Sequence, residues 1–528
     1  MANLLSRLDA LRPKIEELMR IGGTPGLSLS VMHEGNPVYY ASYGYRDVEQ
    51  RLPLTEETIL PVCSFTKAVT SAAIGILVEE KKTHWNTLVK DALPSLDIND
   101  DLLQHHMTLS DLLCHLSGMS RGNNFYRSTD NNILIGEKDA MRYLNNQTRQ
   151  LPFRGQFAYN NLPYELAGKV IESLSGESFF DFVQHRILDP LGMTRTSFKT
   201  PAAHLDDVGK CYNTLDDGTA AAITPVKDGD DWFGASSAGM RSCASDLMKL
   251  HKAFLTCFND QLATGKTSTE GFPLKQVAQM MSAKVYIDQP SRNEVSYCFG
   301  WIRNQLPGRM GRVGNNFALM PRGMPIVGKG VPPRLVIVHQ GGGPGTLSIV
   351  ILVPDTESAI VILSNALALN DVPDWVGQLV LEEFLEVPEG ERNDFISAGK
   401  TSVAVNLAWY RDLAKELQPR NSISRELEAY AGTYWDDIHI LKIVVTVEEG
   451  ELYWALQGLD SEKFRLTHYE DDVFTWLQPR NELSRRGRWV YTNLDLRFWK
   501  IVFKLGDGPD RLFWAHDKGV PAAEFKKE

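Results

Sequence analysis

The stretch "PVCSFTKAVTSA", residues 61–72, sets Ser64 and Lys67 three positions apart, where a short extended run gives way to an apolar helix rich in small residues. Residues three apart share a helix face, so the Lys67 amine can reach the Ser64 hydroxyl. The first turn of a helix leaves backbone N–H groups unpaired and carries partial positive charge, which favours an anion developing there. A serine hydroxyl becomes a nucleophile when a base takes its proton, and neutral lysine is such a base. Lysine titrates at about 10.4 in water, so this role requires a dry or cationic setting. The flanking "PVC" and "AVTSAAIG" supply apolar neighbours. The bare pattern is not specific: Ser397-Ala398-Gly399-Lys400 repeats it in what reads as a polar connector with no strand before it. A helix-capping serine beside a solvated lysine is the other reading of any single copy.

Two further groups bear on the choice. Tyr159-Asn160-Asn161 stands just before a helical pattern in "AYNNLPYELAGKVIE", and His339-Gln340-Gly341 ends an apolar strand in "VIVHQGGGPG". Each is weak alone, and Tyr491-Thr492-Asn493 repeats the Tyr-x-Asn spacing in the tail. The run Gly341-Gly342-Gly343 places no side chain in the way of an approaching substrate. Cys63 adjoins Ser64, but "VCSF" offers no base to make a thiolate. His115 in "CHLSG" reads as a framework residue.

The elements that must position these residues follow from the rest of the chain. At 528 residues it exceeds one core, so two or three units are expected. Its net charge of -11 gives no basic field for a polyanion, which argues against a nucleic-acid partner. The six cysteines show no metal-ligand spacing and are read as free thiols. No run of eighteen apolar residues occurs, and charges interrupt the N-terminus, so neither a membrane span nor a signal peptide is expected and a cytoplasmic location is. Leu4, Leu5, Leu8, Leu11, Ile15 and Leu18 recur at helical spacing and predict an amphipathic first helix. "GLSLSVMHEGNPVYYASYGYRDV" predicts two strands around a His33–Asn36 turn. Residues 85–290 read as mostly helical, and strands return in "RLVIVHQGGGPGTLSIVILVPD" and "AIVILSN". A sheet built from both ends of the first 370 residues, with helices inserted, is therefore expected. Residues 303–334 show no period and read as a long loop. After residue 400 come short aromatic strands, "GTYWDD", "ILKIVVTVEE", "GELYWALQG", "DVFTWLQP", "RGRWVYTN" and "LDLRFWKIVFKL", the pattern of a small antiparallel barrel.

Taken in order, Ser-x-x-Lys, Tyr-x-Asn and His-x-Gly resemble the serine β-lactamase and penicillin-binding-protein superfamily. The resemblance is to the branch holding class C β-lactamases, esterases, D-aminopeptidases and lovastatin-type acyltransferases. "TLSDLLCHLSGMS", "ILDPLGMTRTSF", "SSAGMRSCASDLMKL" and "YCFGW" look like framework segments of that branch, and the likeness covers roughly residues 10–370. The resemblance implies an α+β fold: an antiparallel sheet flanked by helices (residues 1–85 and 290–400) with an inserted helical part (86–289). A linker (401–425) and a lipocalin-like β-barrel (426–528) would follow. It implies Ser64 as nucleophile, Lys67 and Tyr159 as proton carriers, and the N–H groups of Ser64 and Gly342 as oxyanion hole. Asn161, His339, Gln340, Gly341 and Gly343 would contact substrate. No metal or organic cofactor is implied, and the partner is a small ester, amide or peptide.

The family's lactamases and cell-wall peptidases carry lysine where this chain has His339, and a histidine is a weaker anion site near neutral pH. There is also no local glutamate motif of the class A kind. Hydrolysis of β-lactams is thus disfavoured, and a serine esterase or amidase is expected. The alternatives are an acyltransferase or peptide cyclase sharing the acyl-enzyme, then a D-aminopeptidase, a β-lactamase or a non-catalytic sensor. In the resemblance, such tails wall the cleft or simply stabilise the fold.

Overall fold

The computed structural model describes residues 2–199, 206–226, 233–287, 292–491, 494, 496–506 and 508–528. The chain opens with two helices, α1 (Ala2–Asp9) and α2 (Arg12–Gly22), in place of the single one expected. Pro13 in the first turn of α2 starts a new helix there. The predicted apolar positions Leu4, Leu8, Leu11, Ile15 and Leu18 are nevertheless buried on one stripe.

Strands β1 (Gly26–His33), β2 (Asn36–Asp47) and β3 (Leu52–Pro53) precede the helix α3 (Thr66–Glu79). The largely helical stretch holds α4 (Asn123–Tyr126), α5 (Leu162–Ser175), α6 (Ala235–Ala238) and α7 (Ala244–Thr264). It is followed by β4 (Val285–Tyr286), β5 (Val295–Tyr297), β6 (Ile302–Leu306), β7 (Arg334–Gly343), β8 (Thr346–Val353) and β9 (Ser358–Ser364). These form one antiparallel nine-stranded sheet, with β1 beside β9 and with β7 between β8 and β6. Strands from both ends of the first 370 residues meet in it, the arrangement the sequence led us to expect. Strand β4 belongs to the sheet although it falls within the stretch read as helical. Residues 303–334 are anchored rather than one open loop, since they carry β6, a short pair (Gly308–Arg309 with Ile326–Val327) and a helical turn at Asn316–Leu319.

Helices α8 (Val372–Phe384) and α9 (Phe395–Glu416) cover one sheet face together with α1 and α2, burying Leu8, Leu18, Ile349, Trp375 and Phe395 in one core. The other face packs against α3 and α7. Alternation along β7 divides its residues between these layers, with Ile337 on the α3 side and Val336 and Val338 on the α8 side. Helix α9 runs through the boundary expected at residue 400 and into the segment read as linker. It starts earlier because Asp394 caps it, accepting from Ser397 N at 2.9 Å.

The tail closes into an eight-stranded barrel: β10 (Gly432–Trp435), β11 (Lys442–Glu448), β12 (Glu451–Leu456), β13 (Lys463–Glu470), β14 (Val473–Thr475), β15 (Lys500–Lys504), β16 (Arg511–Trp514) and β17 (Ala523–Lys527). Trp454, Trp476, Trp499 and Trp514 fill it, packed against one another, with Trp454 and Trp514 edge to face at a centroid distance of 5.0 Å. The stretch "RGRWVYTN" is not a strand over residues 486–491. With α10 (Arg480–Arg485) it forms an excursion from the barrel, and its aromatics pack on the core under the nine-stranded sheet. Residues 492 and 493 lie outside the described residues. Among the described residues no helix is long and apolar enough to cross a membrane.

One close approach fixes α3 against the sheet. Gly300, at φ +81, faces the backbone of Lys67 and Ala68 so closely that a Cβ there would stand 2.7 Å from Ala68 N. Gly300→Ala therefore strains both backbone and contact, and should lower stability by about 1–3 kcal/mol in a denaturant titration. An unchanged midpoint would show that α3 can shift freely.

Candidate active site

Ser64 sits in a single 3-10 turn, Cys63–Phe65, that leads directly into α3. Cys63 enters it at φ +47, a left-handed conformation that costs a non-glycine residue about 1–3 kcal/mol. Neighbouring bonds hold it there. Thr66 Oγ1 donates to Cys63 O at 2.7 Å and accepts from Met240 N at 3.0 Å, and Val62 N donates to Met240 O at 3.0 Å.

Lys67, on the buried first turn of α3, places Nζ 3.1 Å from Ser64 Oγ, 2.6 Å from Asn161 Oδ1 and 2.9 Å from Ser237 O. It lies over the rings of Tyr159 and Tyr164, at 4.9 and 5.3 Å. Tyr159 OH donates to Ser64 Oγ at 2.8 Å. Serine oxygen is thus bracketed by an amine and a phenol. Asn161 Nδ2 donates to Asn123 Oδ1 at 3.0 Å, which fixes its carbonyl oxygen towards Lys67.

Burial sets the charge states. It pulls Lys67 down to about 7, helped by the positive charge of Arg127. The same burial pushes the Tyr159 phenol up, so Tyr159 stays protonated. Arg127 follows α4, donating from Nη2 to Ala238 O at 2.9 Å and from Nη1 to Cys63 Sγ at 3.5 Å. Beneath α6, the buried Glu165 accepts from Gly234 N at 3.0 Å and Ser237 N at 3.1 Å, and burial raises it to about 7. It thereby holds the turn whose Ser237 carbonyl receives Lys67.

Strand β7 forms the facing wall. His339 is buried with Nε2 3.3 Å from Tyr297 OH, its ring 6.2 Å from that of Tyr159. Desolvation and the nearby Lys67 depress it to about 3, so it carries no charge near neutral pH. A Cβ on Gly341 would overlap the Val62 backbone carbonyl, so that position needs glycine, whereas one on Gly343 would press on the movable Arg127 guanidinium, 2.6 Å from Nη1. Across the sheet layer, Gly342 faces the Trp489 ring, 3.3 Å from where its Cβ would be.

The structure therefore brings Ser64, Lys67, Tyr159, Asn161, His339, Gly341, Gly342 and Gly343 to one place. Gln340, expected to contact substrate, turns its amide against Gly314 on the α8 side, because alternate residues of a strand face opposite ways. His115 is buried as expected of a framework residue, its ring 4.4 Å from that of Tyr159. The second Ser-x-x-Lys lies in the first turn of α9, not in a connector, and Ser397 Oγ donates to Asp394 at 2.6 Å. Sequence reasoning passed over Asn123 and Arg127, which lie in a stretch without a motif. Ser237 lay within a quoted framework segment with nothing to mark its carbonyl. Among the described residues no group of three or more His, Cys, Asp or Glu could hold a metal.

A sheet with a lysine-paired serine under an inserted helical lobe is the architecture of β-lactamase-fold serine hydrolases. The chain belongs to the Beta-lactamase family, whose match covers residues 11–380. Residues 418–526 match a domain of unknown function, DUF3471. Over 501 residues the chain is 24% identical to the unguisins hydrolase ungD of Aspergillus violaceofuscus, covering 88% of this chain and 81% of that protein. It is 29% identical over 187 residues to Protein flp of Staphylococcus aureus, spanning 37% of that protein's length. The fold matches the octameric penicillin-binding protein homologue from Pyrococcus abyssi, with TM-score 0.59 and 20% identity over 98% of this chain and 100% of that one.

Arg127→Gln removes the cation that helps keep Lys67 neutral, so Lys67 should titrate higher. Proton acceptance from Ser64 requires neutral Lys67, so the rate of Ser64 labelling by a fluorophosphonate should fall about three- to tenfold at pH 7, with its acid limb displaced to higher pH. Arg127→Lys should retain most of the effect. An acid limb that stays in place would remove Arg127 from the electrostatics of the site.

Proposed function

We propose that this serine hydrolase forms an acyl-enzyme on Ser64 and hydrolyses esters or amides whose binding does not require a carboxylate. The observation that carries the reading is the set of partners around Lys67 Nζ. A neutral amine has two N–H groups and one lone pair. Asn161 Oδ1 and Ser237 O can only accept, so they take the two N–H groups and leave the lone pair facing Ser64 Oγ.

In the acylation step, the Ser64 O–H proton passes to Lys67 as Oγ bonds to the substrate carbonyl carbon and the C=O electrons move to oxygen. The N–H groups of Ser64 and Gly342 receive that oxyanion, each donor contributing about 2.7–4 kcal/mol to the transition state. Tyr159 delivers its proton to the leaving oxygen or nitrogen as that bond breaks, and Lys67 restores the phenol. Water then repeats the sequence in reverse, with Lys67 and Tyr159 again carrying the protons, and frees Ser64.

Neutral, buried His339 supplies no cation where β-lactam and cell-wall substrates would seat a carboxylate, which supports esters and plain amides over both. The near full-length relative named as a hydrolase supports water as the acceptor over an alcohol or amine.

Ser64→Ala should lower turnover of p-nitrophenyl butyrate at least about a thousandfold. Wild-type kcat/KM should rise with pH through about 7 as Lys67 loses its proton. Intact-mass measurement should show a butyryl adduct on the wild type alone. Retained turnover in Ser64→Ala would move the nucleophile elsewhere, and a dominant ester or amide product at high added alcohol or amine would make the enzyme a transferase.

A further inference from the structure

The chain from residue 122 to 134 runs as a strap between the barrel and the nucleophile. Its inner side carries Asn123, which orients Asn161, and Arg127, which touches Cys63 and Ala238. Its outer side is bound to the barrel and its excursion at Asn123, Asn124, Phe125, Ser128, Thr129, Asp130 and Asn132. Asn123 N donates to Asp517 Oδ2 at 2.9 Å, and Asn124 Nδ2 to His516 O at 2.9 Å. Phe125 stacks on His516 at 4.3 Å and meets Trp514 edge-on at 5.8 Å. Arg488 reaches Asn124 Oδ1 at 2.7 Å, Ser128 Oγ at 3.0 Å and Thr129 Oγ1 at 3.1 Å. Glu462, paired with Arg488 in the interior, accepts from Ser128 Oγ at 2.9 Å and Asn132 Nδ2 at 3.2 Å. Asp130 N donates to Arg486 O at 2.8 Å.

The strap has little hold of its own. Helix α4 is four residues long and too short to persist alone. Asp130 and Asn131 stand at φ +54 and +50, conformations that need outside support. For Asp130 it comes from the barrel excursion, through Arg486 O, while Asn131 Nδ2 donates to Thr224 O at 2.7 Å.

We propose that the C-terminal barrel is a working part of the active site, with Asp517 as a positioning residue. Through the Asn123 backbone it places the Asn123 side chain, which fixes the Asn161 amide, which in turn fixes Lys67. Without Asn123 the Asn161 amide is free to turn its NH2 group towards Lys67, where it cannot accept an amine hydrogen. A barrel that merely stabilised the fold would leave acylation intact in any variant that stays folded. This inference rests on the role of Ser64 and Lys67 proposed above.

The test is a double-mutant cycle in the full-length chain, read as kcat/KM for p-nitrophenyl butyrate well below each variant's melting temperature. Asp517→Ala and Asn123→Ala should each lower kcat/KM by about one to two orders of magnitude, mainly in kcat, as small misplacements of catalytic groups do. The double variant should be no worse than Asn123→Ala alone, since the first change acts through the second residue. Asp517→Asn keeps an oxygen that can accept from Asn123 N and should restore activity to within about threefold of wild type. If Asp517→Ala does not fold, Asn124→Ala, which cuts the bonds to His516 and Arg488 at a half-buried position, takes its place in the cycle. Wild-type kcat/KM in the folded single variant, or losses that multiply in the double variant, would overturn the proposal. Ser64→Ala measured in parallel separates the two readings, because turnover surviving there refutes the nucleophile and leaves the cycle to be read on whichever residue replaces it.

Discussion

The site depends on keeping one lysine dry. An ammonium group taken out of water is destabilised unless acceptors surround it, and Lys67 meets only neutral ones, an amide oxygen and a backbone carbonyl. Desolvation then acts in opposite senses on the two groups that flank Ser64. It favours the neutral amine and the neutral phenol together, so one physical cause yields a proton acceptor and a proton donor side by side. Arg127 reinforces the first effect, and Glu165 opposes it while holding the carbonyl that Lys67 needs. The small residues of α3 serve the same end. Alanines, threonines and Gly75 let neighbouring elements close on the helix until its residues 66–77 are all buried.

Close approach of backbones is the second constraint, and it explains the glycines. The turn bearing Ser64 is pinned between β7, where Gly341 admits Val62, and the Phe299–Trp301 corner, where Gly300 admits α3. Such contacts position a side chain's backbone more rigidly than side-chain packing can, because backbone has no rotamers to relax into. His339 adds no charge to this wall: its neutral imidazole, beside Tyr297 and Tyr159, continues the aromatic layer.

Much of this was legible in the sequence. Ser64, Lys67, Tyr159, Asn161 and His339 could be found because each sits at the junction of a strand or loop with a periodic segment, and their order is informative where each alone is not. The sheet strands could be read because alternation and apolar runs survive in a single sequence. What could not be read has a common cause. Asn123 and Arg127 belong to a strap whose conformation is imposed by partners hundreds of residues away, so no local pattern marks them. In "RGRWVYTN" alternating aromatics signal burial but not where. Tyr491 is buried in, and Trp489 packs partly buried against, the core under the nine-stranded sheet, and the pattern is the same as for a barrel wall. At Ser397 the difficulty ran the other way. A helix cap and a catalytic serine share residue types, and only the partner, Asp394 in place of a lysine, tells them apart.

The two sequence families that meet in this chain divide it near residue 400, yet the packing does not. One apolar core runs without interruption from Phe65 and Leu113 through Phe125 and Tyr143 to Trp454 and Trp514. Buried polar links accompany it, such as Asn213, which accepts from Gly345 N at the β7–β8 turn and donates to Ser484 O and Arg488 O of the barrel excursion. Linkers between independently moving domains are polar and cross few contacts, whereas here the crossing is apolar and dense. A continuous core transmits position, because close-packed interiors resist deformation. The excursion between β14 and β15 and the turn between β16 and β17 therefore pack into the same continuous core as the turn that carries Ser64. Evolutionary units and physical units differ in this protein, and the geometry around Ser64 follows the physical one.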